Sequence, residues 1–162
     1  MILQSFHELK GRGKPRRRRK PRSMWVRKWL SEKRRERYGH YSTLLNELKT
    51  EDEKAFFNYT RLPRGLYDEV LRRVEGRIEK KDTWYRKSLP PGLKLSITLR
   101  HLACGDNYPS LSYNFRVSPN TISLINNEVC DAIKAEFAAE VIQQEADWQL
   151  LFAPLGGHMG GE

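Results

Sequence analysis

Thirteen consecutive residues, Lys10-Gly-Arg-Gly-Lys-Pro-Arg-Arg-Arg-Arg-Lys-Pro-Arg22, hold nine cations, no acid, two glycines and two prolines. Like charges at that density repel, Gly and Pro oppose a helix, and nothing apolar is present to bury. The segment has nothing to give a core, so whatever folds must be built from residues after it. The charge follows the same division. Of the 162 residues, with a formal net charge of +10, Met1 to Tyr38 carry 15 Lys and Arg against 3 acids, a net of +12. Gly39 to Glu162 carry 15 against 17, a net of −2. Residues 1–24 are therefore read as a disordered polybasic arm. Its Lys14, Arg16, Arg17, Arg18, Arg19, Lys20 and Arg22 are candidates for a nuclear-localisation signal, for phosphate contact, or for both. The plainer alternative is a solvated tail that aids solubility. No adjacent amphipathic helix or lipidation motif supports a membrane-surface role.

Two cysteines, Cys104 and Cys130, are too few for a disulfide framework or a structural zinc site without several further ligands. They are expected to be reduced thiols in an intracellular protein, with Cys104 a buried small hydrophobe. No run approaches the ~18 apolar residues of a membrane span, and no apolar stretch follows the N-terminal charges as in a secretory signal.

Order is expected from about residue 25, where Trp25 and Trp29 stand four apart, on one helical face or as an extended clamp on the core. The run before Gly39 reads as a connector. Tyr41, Leu44, Leu45 and Leu48 have the spacing of one helical face. Thr50 with Glu53 three positions on reads as a capping box, opening a helix that buries Phe56 and Phe57 and ends before Pro63. Tyr67, Leu71, Val74 and Ile78, widened by Leu66 and Val70, predict a third helix, with Pro63 in its first turn. Glu79 to Lys87 reads as a connector anchored by Trp84, and Leu93 to Ala103 as an apolar helix closed at Gly105. The fold class expected is all-α. It comprises a helical domain over 25–140 with five or six helices, ending in a helix-turn-helix, and a linker and flexible tail over 141–162.

The stretch from Asn107 to Val129 carries the most information. A short helix from about Ser110 to Phe115 offers Leu111 and Phe115 to a core, and Arg116-Val117-Ser118 makes a tight turn with Val117 as an apolar plug. Ser118 can cap the next helix, Pro119 takes its first position, and Ile122, Ile125, Val129 and Ile133 form the buried stripe. That order is a helix-turn-helix pattern, in which the start of the second helix can enter a DNA major groove. Helical hairpins of this build also pack against proteins. Ser118, Asn120, Thr121, Ser123, Asn127 and Arg116 are the candidate DNA contacts. Between Asp106 and Asp131 the only cation is Arg116, against Asp106, Glu128 and Asp131, so charge has to come from elsewhere: Lys94, Arg100 or the arm.

Leu44-Leu45-Asn46-Glu47-Leu48, Asp52-Glu-Lys-Ala-Phe-Phe-Asn-Tyr59, Tyr67-Asp68-Glu69-Val70-Leu71, Leu95-Ser-Ile-Thr-Leu-Arg-His-Leu-Ala-Cys-Gly105 and Tyr113-Asn-Phe-Arg-Val-Ser-Pro-Asn-Thr-Ile-Ser123 occur in that order. Together, over about residues 25 to 148, they resemble the N-terminal region of PIF/Harbinger-type transposases and the nuclease-like proteins domesticated from them. The resemblance implies a helix-turn-helix domain that precedes an RNase H-like domain cutting DNA with three acids and divalent metal, commonly assisted by a Myb-like accessory protein. Glu145-Ala146-Asp147-Trp148 looks like the run into that catalytic domain, but the Gly-x-x-Asp-Gly motif of the first catalytic acid is absent and fewer than fifteen residues follow. No catalytic residue is carried over, and the expectation is a non-catalytic nuclear DNA-binding module without cofactor or metal. The alternatives are a module binding a Myb-like partner, or the N-terminal part of a metal-dependent nuclease. His7, His40, His101 and His158 are scattered, and His101 with Cys104 alone does not make a metal site.

Overall fold

A computed structural model describes residues 26–84 and 87–151, and for 144–151 the backbone alone. The polybasic segment, Trp25, Tyr85, Arg86 and residues 152–162 lie outside the described residues. After a 3-10 turn at Lys28–Leu30 come seven α-helices: α1 Glu32–Tyr38, α2 Leu44–Glu51, α3 Glu53–Thr60, α4 Arg64–Ile78, α5 Pro91–Cys104, α6 Tyr108–Phe115 and α7 Pro119–Leu151. No β-strand occurs among the described residues, so the fold is all-α, as its apolar spacing predicts.

The core forms around α5. Seven consecutive residues, Gly92 to Thr98, are buried, so this helix is enclosed on all sides and its sequence lacks a clean amphipathic stripe. Leu93, Leu95 and Ile97 meet Val70, Val74 and Ile78 of α4, Phe56 of α3, Leu111 and Phe115 of α6, and Ile122, Ile125 and Val129 of α7 in one cluster. Enclosure forces the polar side chains of α5 to find partners inside the protein. Ser96 Oγ donates to the Gly92 carbonyl (2.7 Å) and meets the Tyr67 hydroxyl (2.9 Å), while Thr98 Oγ1 lies 3.1 Å from Asn126 Oδ1 of α7. Lys94, only 3% exposed, donates its ammonium to the Ile78 carbonyl at the end of α4 and to Glu128 Oε1 of α7 at 3.3 Å.

The 33 residues of α7 make a rod of about 50 Å. Its N-terminal half packs on α5 and α6. Further along, α4 is fastened to it by Arg73 to Glu140 (2.6 Å) and Arg77 to Glu136 (3.1 Å), with the Arg73 guanidinium 4.0 Å above the Phe137 ring. The helix continues to Leu151, through the boundary at 140/141 drawn from the sequence.

Local expectations need correction in several places. The run before Gly39 is a helix, α1, rather than a connector. Asp52 caps α3 by accepting from the Ala55 amide (2.8 Å). Thr50 lies inside α2, where its hydroxyl turns back to the Asn46 and Glu47 carbonyls, so it cannot serve as that cap. Phe57 and Leu66 are exposed, each lying outside the stripe that faces α5. Trp84 is 95% exposed and anchors nothing among the described residues. Cys104 is exposed too, since it is the last residue of α5, where the helix leaves the core.

Replacing Lys94 by Met leaves the Ile78 carbonyl without this donor and Glu128 with Lys80 as its remaining partner. Lys94→Met is expected to lower unfolding free energy by about 3 kcal/mol in denaturant titrations. Adding Glu128→Gln is expected to cost less than the sum of the two single changes.

Candidate nucleic-acid interface

The helix-turn-helix is built residue by residue. Asn107 caps α6 by accepting from the Ser110 amide (2.9 Å), and Pro109 in the first turn needs no amide partner. Leu111 and Phe115 face inward, and the helix ends at Arg116, whose backbone is left-handed at φ 55°, ψ 41°. Val117, 1% exposed, plugs the core as its apolar character predicts. The chain turns again, the Ile122 amide bonds the Ser118 carbonyl (2.9 Å), and α7 starts at Pro119.

Because Ile122, Ile125, Asn126 and Val129 point inward, the opposite side of α7 is left to solvent. Asn120 and Asn127 are exposed there, with Ser123 partly exposed between them at helical spacing; Ser118, Thr121 and Arg116 are also partly exposed. The structure thus brings together all six residues chosen from the sequence, at the turn and over the first turns of α7. It adds Leu124, 69% exposed on the face of Asn120 and Asn127. The sequence reading overlooked Leu124 because it fits neither the buried stripe nor the polar set.

The electrostatics differ from expectation. Asp106 pairs with Arg100 (3.3 Å), Glu128 with Lys80 (2.8 Å) and Lys94 (3.3 Å), and Asp131 with Lys134 (3.6 Å), so each acid of this region has a partner within the fold. The same pairs remove Lys94 and Arg100 as sources of charge for phosphate. Lys94 is buried, and the Arg100 guanidinium lies 4.6 Å above the Tyr59 ring. That ring is itself well enclosed, and burial pushes the Tyr59 hydroxyl up to about 12.

Positive charge comes instead from α1, which docks on the turn. Arg35 Nε donates to the Arg116 carbonyl (3.2 Å), the His40 amide to the Asn114 carbonyl (2.9 Å), and Trp29 stacks on Tyr113 with ring centroids 5.4 Å apart. His40 Nδ1 also meets the Tyr59 hydroxyl (3.4 Å), and burial, helped by the Arg100 charge, holds its pKa below the usual histidine value. Lys33, Arg34 and Arg37 are exposed on the same short helix. The signal for it was present: Ser31, an acid in the first turn, arginine in the last turn, and Gly39 after the end. Arg116 itself sits between aromatic rings, 5.8 Å from that of Trp29 and 5.7 Å from that of Tyr38.

Compared with models of known protein families, with characterised proteins and with solved structures, the chain finds no match. Among the described residues, no group of three or more His, Cys, Asp or Glu side chains is gathered as a metal site, and no helix is long and apolar enough to cross a membrane.

A left-handed backbone costs a residue bearing a Cβ roughly 1 kcal/mol relative to glycine. Arg116→Gly is therefore expected to unfold at higher denaturant than Arg116→Ala, by about 1 kcal/mol, the reverse of the order inside a helix.

Proposed function

We propose that this protein is a nuclear DNA-binding module related to Harbinger-type transposases, with α7 reading duplex DNA and no catalytic residue assigned to this chain. The observation that carries the reading is the outward face of α7. Amide and hydroxyl side chains at Asn120, Ser123 and Asn127 follow directly on a plugged turn, and the acids around them are paired. Such side chains can bond base edges and phosphates, and Lys33, Arg34 and Arg37 of α1 supply charge beside the turn. In this reading the segment from Lys10 to Arg22 serves nuclear entry and sequence-independent attraction.

The test is selection from a randomised duplex library, followed by binding to the selected site across a salt series. Asn120→Ala with Asn127→Ala is expected to weaken the selected site about tenfold or more and leave random duplex unaffected. Deleting residues 1–22 is expected to flatten the salt dependence, keep the sequence preference, and abolish nuclear accumulation of a fluorescent fusion. No sequence preference, with all affinity lost on that deletion, contradicts the reading.

One observation favours a second reading. Leu124, exposed in the middle of the candidate face, suits an apolar anchor in a partner's groove as well as it suits a thymine methyl. A Myb-like accessory protein is the partner this reading proposes. A stable complex broken by Leu124→Asp, with duplex binding at background, would favour it.

A further inference from the structure

Five side chains from two distant parts of the sequence form one surface row beside the start of α7. Arg37 lies 5.3 Å from the Tyr38 ring centre, Arg116 lies 5.7 Å from Tyr38 and 5.8 Å from Trp29, and Trp29 stacks on Tyr113 at 5.4 Å with the planes 22° apart. Two arginines are thus interleaved with three rings, in the order Arg37, Tyr38, Arg116, Trp29, Tyr113. The two tyrosines remain open to solvent: Tyr113 is 67% exposed and Tyr38 51%.

We propose that this row is a binding site for single-stranded nucleic acid, with unpaired bases stacking on Tyr113 and Tyr38. A stacking platform needs an open ring held at a fixed angle, and Trp29 behind Tyr113 supplies that support. It also needs charge along the backbone path. Residues 26–43 hold six Lys and Arg against two acids, a net of +4. Among the described residues, Lys33 and Arg34 are exposed and form no ion pair. Basic grooves with interleaved aromatics bind single strands through phosphates and base faces together, because every base offers a π face. Duplex DNA keeps its bases stacked on one another and cannot use such rings, so the ligand is an unpaired strand. The site stands whether or not α7 reads duplex DNA, since none of its rings belongs to α7.

The experiment compares the full chain binding two labelled oligomers of roughly 15 nucleotides, one of thymidines and one of abasic sites with the same number of phosphates. The arm and α1 attract both equally, so the difference isolates the bases. Thymidine is expected to bind about tenfold tighter or more. Tyr38→Ala with Tyr113→Ala is expected to remove the difference and leave abasic binding as it was, while Phe at both positions preserves it. Thermal melting checks that the exposed substitutions leave the fold intact. Equal binding of the two oligomers by the unaltered protein, or a preference that survives the alanine pair, overturns the proposal. Equal binding here leaves the duplex test untouched, so the two failures are distinguishable.

Discussion

The ammonium of Lys94 sits where three helices meet, and the geometry of the candidate interface depends on it. From the first turn of α5 it reaches the last carbonyl of α4 and the carboxylate of Glu128 on α7. A buried charge is tolerated only when paired and hydrogen-bonded, so α4 and α7 are both held to the position that satisfies it. Glu128 directly follows Asn127. Turning Glu128 inward toward Lys94 fixes the rotation of α7 about its axis and leaves Asn120, Ser123 and Asn127 outward. The bond from Thr98 to Asn126 fixes the same rotation from the neighbouring position. These polar contacts and the buried stripe of Ile122, Ile125 and Val129 together set the outward face of α7.

A second constraint comes from the N-terminal side. The 3-10 turn, α1 and His40 clasp α6 and the turn through Arg35, the His40 amide and the stack of Trp29 on Tyr113. This clasp brings a basic helix beside a helix-turn-helix that has little free charge of its own. It also holds Arg116, the lone cation of the turn, between two rings, where an aromatic environment offsets part of the cost of its left-handed backbone.

Much of this was legible in the sequence because it rests on local rules. Apolar spacing marked α2, α4, α6 and α7, Gly105 closed α5, and Pro119 with Val117 announced the turn. Most of the errors came where a tertiary contact decides. Lys94 and Arg100 read as surface cations, and only packing shows one enclosed and the other paired with Asp106. The acids near the turn count against an anionic ligand until their partners are visible: Lys94 and Arg100 of α5, Lys80 just after α4, and Lys134 one turn further along α7. Thr50 and Asp52 both fit the cap of α3 by residue type, and hydrogen bonding within α2 decides between them. The docking of α1 on the turn joins residues about eighty positions apart, a pairing that neither composition nor periodicity encodes.

The central claim is that the folded helices, and not only the basic segment before them, meet nucleic acid. Amide chemical shifts of the full-length protein, followed by nuclear magnetic resonance on adding the duplex selected from a random library, test it most directly. The account predicts the largest changes at residues 116–127 and on α1, with the side of α4 that carries Arg73 and Arg77 unmoved. Changes confined to residues 10–22 would contradict it.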